Sequence, residues 1–212
     1  RKVMVIGLDC AAPELVFDKY RDELPTFREL YRTGVYGELE SCIPAITVPA
    51  WSSMMSSKDP GTLGIYGFRN RRDYSYDNMF IATGNYVKEP RVWDILSEAG
   101  KHVTLIGVPQ TFPIKPVNGT TIASFLTPSL DSGFTWPEEL AQKVLSIAPN
   151  YQVDVRNFRT PDKDWLLQQI WDMTEARFDV LNYLMETEPR DYFMWVEMGD
   201  DSIHPGMWSF MA

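Results

Sequence analysis

Val3-Met4-Val5-Ile6-Gly7-Leu8-Asp9 is an unbroken apolar run, rich in β-branched residues and closed by a carboxylate. Such a run suits a strand buried on both faces of a parallel sheet, where helices above and below leave no polar face to alternate with. The pattern returns at His102 to Val108 and at Tyr192 to Met198, the latter followed directly by Gly199-Asp200-Asp201. Between these runs the apolar spacing becomes helical. Leu24 to Thr33 stops at Gly34, Val48 to Ser57 opens just past Thr47, and Arg91 to Ala99 is ended by Gly100. Pro137 to Ile147 reads as an amphipathic helix, and a long one runs from Asp162 to Glu186. Its Trp and Met residues are expected in the core.

Val35 to Leu39 is a further short strand candidate. Gly64 to Tyr86 is rich in Tyr, Asn and Arg without a sustained period and reads as loop. We take residues 64–90 as a loop-rich insertion in a single domain spanning 1–212. Strands alternating with helices predict an α/β fold with a mainly parallel sheet flanked by helices. In such folds ligands bind beyond the carboxyl ends of the strands. Asp9 and the Asp200/Asp201 pair, distant in sequence, are therefore expected at one sheet edge.

With 212 residues, 44% of them hydrophobic and 13% aromatic, the chain can bury a sizeable core and is not a disordered segment. Its net charge of −9 argues against binding nucleic acid or an anionic membrane, both of which need excess Lys and Arg. A phosphate-bearing small molecule stays compatible, because bound divalent cations reverse the local field. Cys10 and Cys42 are too few for a disulfide framework and form no CxxC. They read as reduced cysteines of a cytoplasmic protein. No apolar run approaches the roughly 20 residues needed to span a bilayer. The chain opens without Met and closes just after a motif, so flanking residues carrying further function are expected.

Asp9, an ionised group at a strand end, needs a partner; a hard divalent cation would serve, as would the N–H groups of a following turn. Thr47, at a loop-to-helix junction, could present its hydroxyl beside free N–H groups at the positive helix end, or could simply cap the helix. Gly199-Asp200-Asp201-Ser202-Ile203-His204 offers carboxylates and an imidazole suited to zinc or manganese, or an acidic turn with a surface His. His102, on a strand among apolar neighbours, reads as a satisfied structural histidine. Arg69, Arg71 and Arg72 could meet a substrate phosphate or form a solvated charge run.

In combination these elements resemble a known family. Asp9 after its strand, Gly34-Val35-Tyr36-Gly37, Pro44-Ala45-Ile46-Thr47-Val48-Pro49-Ala50-Trp51 and Asp59-Pro60-Gly61-Thr62-Leu63-Gly64-Ile65 look like the opening of the type I phosphodiesterase/nucleotide pyrophosphatase family. Val92-Trp93-Asp94-Ile95-Leu96, Gly107-Val108-Pro109 and Met198 to Trp208 continue the likeness over nearly the whole chain. The resemblance implies an alkaline phosphatase-like core, of which this chain is an N-terminal portion. It also implies hydrolysis of small-molecule phosphate esters with two divalent ions, zinc ahead of manganese, about 4 Å apart.

By that likeness Thr47 is the nucleophile and a metal ligand, Asp9 belongs to the same metal site, and Asp201 to the other. Trp208 sets that register. Where the family has a ligand His four residues after Asp201, this chain has Pro205. His204 would supply the imidazole from the adjacent position or pair with Asp200. Ala50 replaces an Asn that contacts phosphate in nucleotide pyrophosphatases, and the family's downstream Asp-His pair and last His have no counterpart before Ala212. The rivals are a sulfatase, which lacks its Arg at Ile46, a phosphoglycerate mutase, which generally uses Ser, and a non-catalytic binding module.

Overall fold

The computed structural model describes residues 1–211, with side chains as far as Met207; the side chain of Trp208 lies outside the described residues. β1 (Val3–Leu8) is followed by a π-helical turn (Glu14–Lys19), α1 (Pro25–Thr33), α2 (Thr47–Ser56) and the short α3 (Pro60–Leu63). β2 (Arg69–Arg71) and β3 (Met79–Ile81) come next, then α4 (Val92–Glu98), β4 (Val103–Val108), β5 (Gly119–Ala123) and β6 (Thr135–Trp136). The chain continues through α5 (Leu140–Ile147), α6 (Lys163–Thr187), β7 (Tyr192–Glu197) and α7 (Gly199–Met211). The main sheet has the order β1-β7-β4-β5-β6. Its first four strands are parallel, with β6 antiparallel at one edge.

Helices flank both faces of this sheet, as an α/β fold requires. Along β7 and β4 successive side chains alternate between two apolar layers. Tyr192, Met194 and Val196 join Val103 and Leu105 under Trp51 of α2 and Trp93 of α4. Phe193, Trp195 and Ile106 face Val144 of α5 and Val180, Leu181 and Leu184 of α6. Gly107 breaks the alternation. Its φ of 64° makes a register shift in β4 that returns Val108 to the layer of Val103 and Leu105. A Cβ there would lie 2.9 Å from the Val196 carbonyl oxygen.

Several expectations change. β1 is not buried on both faces: Val3, Met4 and Ile6 are 52%, 43% and 59% exposed. It is an edge strand, paired among the described residues with β7 alone, and an apolar run does not record where in a sheet its strand will sit. Val35 to Leu39 finds no strand partner and stays irregular, with Val35 and Leu39 exposed. Gly34 ends α1 in an extended conformation, not a left-handed one. Within the expected loop after Gly64, β2 and β3 pair antiparallel; strands of three residues are too short to show a period. Trp165 and Trp171 of α6 are exposed, whereas Met173 is fully buried. His102 keeps a buried Nδ1 without a partner, although its backbone N–H donates to Asp191 Oδ2 at 2.9 Å. Among the described residues no helix is long and apolar enough to cross a membrane. Cys10 and Cys42 are free.

The caps follow sequence chemistry closely. Asp162 accepts from the Trp165 N–H at 3.0 Å and opens α6. Asp59 accepts from the Thr62 N–H and hydroxyl and opens α3. Chain 10–46 is looser. Neither the π-helical turn nor α1 buries a residue. They meet through Phe17, Tyr31 and Tyr36, with ring centroids 4.7–5.5 Å apart.

Candidate metal centre and nucleophile

Because β1 and β7 pair in register as far as Leu8 and Glu197, the residues that follow them emerge side by side at the carboxyl edge of the sheet. The Asp9 N–H donates to the Glu197 carbonyl at 3.0 Å, which carries the pairing one residue further. Cys10 then leaves the strand with a left-handed φ of 62°. On the other side the chain turns directly into α7, so Asp200 and Asp201 occupy its first turn, not an acidic loop.

A cavity of about 710 Å³ opens over this edge, lined among others by Asp9, Cys10, Thr47, Asp154, Asp201 and Pro205. Asp9 is 8% exposed. Burial raises its pKa; the hydrogen-bonded Trp51 indole and the nearby Thr47 hydroxyl work against that, and the charge of Asp201 adds to it. The indole Nε1 donates to Asp9 Oδ2 at 3.0 Å. Cys10 Sγ donates to Asp201 Oδ1 at 3.0 Å. Burial together with this carboxylate pushes the thiol up to about 12.

Thr47 is the first residue of α2, with Ile46 in the capping position and no side-chain cap. Its hydroxyl is therefore not engaged as a helix cap. The first acceptor inside the helix is Ile46 O, which takes the Ala50 N–H at 2.9 Å, and Pro49 has no N–H. The N–H groups of Thr47 and Val48 are thus left without intrahelical partners at the positive end of the helix dipole.

Helical phase separates the remaining candidates. Adjacent residues on an α-helix point roughly 100° apart, whereas residues four apart share a face. Asp201 and Pro205 line the cavity. Asp200 is exposed; burial of its surroundings raises its pKa and the neighbouring His204 lowers it. His204 lines an adjacent cavity of about 770 Å³ that shares Cys10, Ser41, Ala45 and Ala50 with the first. Arg71 and Arg72 lie over the rings of Tyr76 and Phe80, and Arg72 donates to the Tyr86 hydroxyl at 3.1 Å. Arg69, Arg71 and Arg72 are not among the lining residues.

Sequence reasoning assigned no role to Cys10, Asp154 or Trp51. Cys10 could have been found, since it follows Asp9 directly. Asp154 could not, because its stretch has no period; the buried Arg177 holds that stretch by donating from Nη2 to the Val153 carbonyl at 2.7 Å. Burial raises the pKa of Asp154, with Arg177 opposing and Asp201 reinforcing.

The donor set fits a divalent cation. One ligand atom each from Asp9, Cys10 and Asp201 lies within 4.8 Å of the others. No Lys, Arg or His lines the cavity to balance the carboxylates. Two carboxylates pressed together without a cationic partner are a poor arrangement for the protein alone and a good one around an ion.

The chain belongs to the type I phosphodiesterase/nucleotide pyrophosphatase family, whose model matches residues 3–208. No curated protein of individual function matches its sequence.

Proposed function

We propose that this site hydrolyses small-molecule phosphate esters of the diester or pyrophosphate type, with Thr47 as nucleophile and divalent cations as cofactors. The observation that carries this reading is that Asp9, Thr47 and Asp201 line one cavity, with the Thr47 hydroxyl near enough to the Asp9 carboxylate to lower its pKa. Family membership supplies the reaction class.

Asp9, Thr47 and Asp201 would hold the first ion, with Asp200 and His204 of α7 as candidate donors for a second. Zinc is the first choice and manganese the second, since carboxylate, imidazole and hydroxyl donors suit both. When bound, the cations would lower the pKa of nearby hydroxyl groups and neutralise charge that builds on phosphate oxygens. This chain's own groups do the rest. Burial and the Trp51 indole fix the Asp9 carboxylate, which would orient the nearby Thr47 hydroxyl in the reaction. The N–H groups at the start of α2, without intrahelical partners, would be available to a phosphoryl oxygen at the positive end of the helix dipole.

In the first step the Thr47 oxygen attacks phosphorus. Its proton passes to solvent, the bond to the leaving oxygen breaks and that group departs, and Thr47 carries the phosphoryl group with the substrate's remaining substituent still attached. In the second step water attacks the same phosphorus and the bond to Thr47 breaks, releasing the phosphate product and restoring the hydroxyl. The test is Thr47→Ala assayed on bis-p-nitrophenyl phosphate with zinc or manganese. Turnover should vanish while the fold persists. Rates near wild type in that variant would remove Thr47 from the mechanism.

One observation favours a second reading, a binding module without turnover. Pro205 occupies the cavity face where Asp201 would need an imidazole four residues on, and His204 is turned to the neighbouring cavity. Calorimetry with zinc separates the two: the hydrolase binds the ion and turns over, whereas the module does neither.

A further inference from the structure

The cavity holds a nucleophilic side chain that the reaction above does not use. Cys10 Sγ sits on the wall between Asp9 and Asp201, 3.0 Å from Asp201 Oδ1. The three side chains offer donor atoms that all lie within 4.8 Å of one another, the spacing of ligands around a shared ion. The remaining polar partner of Asp9 Oδ2 is the Trp51 indole, which can donate but cannot ligate.

We propose that Cys10 is a thiolate ligand of the cation held by Asp9 and Asp201, so that this centre selects a thiophilic ion over magnesium or calcium. The inference rests on the metal-dependent reading above and deepens it. Oxygen donors alone suit magnesium, calcium and manganese; a thiolate in the set shifts preference toward zinc, cobalt and cadmium. On binding, the Cys10 S–H bond breaks, the sulfur lone pair forms the bond to the ion, and the proton goes to bulk solvent. No oxidant or reductant is needed. The hydrogen bond that the thiol now gives to Asp201 is released, which frees Oδ1 for the same ion.

The test uses cobalt(II) as a spectroscopic stand-in, titrated into the whole chain, with Cys10→Ser, Cys42→Ser and Asp9→Asn in parallel. A thiolate bound to cobalt gives an intense near-ultraviolet charge-transfer band that oxygen and nitrogen donors do not give. Wild type and Cys42→Ser should develop the band to saturation. Cys10→Ser should bind cobalt without it, and its zinc affinity should fall while its magnesium affinity is unchanged. Groups that merely support a ligand are worth about 10- to 100-fold in metal affinity, and a direct ligand should cost at least as much. A wild type that binds cobalt by calorimetry without the band, or a band that survives Cys10→Ser, overturns the proposal. If Asp9→Asn abolishes binding while Cys10→Ser changes nothing, the thiolate falls and the hydrolase reading stands. Binding unchanged in Asp9→Asn would place the ion elsewhere and remove both.

Discussion

The indole Nε1 of Trp51 donates to Oδ2 of Asp9 at 3.0 Å, so the core aromatic of α2 also orients the carboxylate that ends β1. Trp51 packs so closely that a Cβ on Gly7 would fall 2.3 Å from its ring and 3.0 Å from Val196. One ring thus ties the sheet, the helix that begins at Thr47 and the candidate metal ligand together.

Replacing that ring by a phenyl should show both roles. Trp51→Phe keeps most of the packing and removes the donor; a hydrogen bond to a charged group is worth about 1.5–3 kcal/mol. Stability in urea should fall by that order, and zinc affinity should fall with it. Gly7→Ala should destabilise by about 1–3 kcal/mol through overpacking and weaken metal binding without altering any polar group. A Gly7→Ala variant of wild-type stability would contradict the close contact.

Thr47→Ser retains a hydroxyl on the first residue of α2 and should keep measurable turnover. Thr47→Ala should lose roughly 10³-fold or more, since removal of a nucleophile typically costs at least that. Mass spectrometry of a reaction with bis-p-nitrophenyl phosphate, rapidly quenched, should detect a p-nitrophenyl phosphoryl group on the residue at position 47 in the active forms alone.

Pro205 shares the cavity face of α7 with Asp201. Pro205→His should aim an imidazole into the cavity and restore a helical N–H toward the Asp201 carbonyl. Zinc affinity measured by calorimetry should rise about tenfold or more, which is 1.4 kcal/mol or above. No gain would mean that this face of α7 does not serve an ion.

Arg177, 2% exposed, faces Glu197 at 3.9 Å, and Glu197 Oε1 accepts from the Gly199 N–H at 2.9 Å. The pair therefore links the start of α7 to the stretch that carries Asp154. Arg177→Met strands a buried carboxylate and should cost about 3–5 kcal/mol. Adding Glu197→Gln should recover a large part of that loss in a urea titration. Equal losses in the single and double variants would show that the guanidinium's other contacts, not the pair, carry its effect.

Asp154 supplies a pH test at a cavity carboxylate that is not one of the proposed ligands. Its pKa is raised from 3.8 chiefly by burial, so the folded state favours the protonated form. Its contribution to stability is complete below the unfolded value and is lost as pH rises through the higher folded value. Asp154→Asn in chelator-treated protein should therefore melt higher than wild type at neutral pH. The gap should close as the pH is lowered below 3.8. A gap that widened on acidification would reverse the sign and refute the burial effect.

The sequence by itself determined whatever is written within one segment. Apolar periods placed β1, β4, β7 and α6, and side-chain oxygens at Asp59 and Asp162 set their helix starts, because period and capping depend on neighbours a few residues away. The order of strands, helices and motifs sufficed for the family and for expecting Asp9 and the Asp200/Asp201 pair at one edge. What only the tertiary structure decided involves distance along the chain or rotation about an axis. The edge position of β1 depends on which strands pair. The contact of Cys10 with Asp201 joins residues 191 apart. That Asp201 rather than Asp200 lines the cavity follows from the phase of α7, which sets side chains one residue apart on different faces.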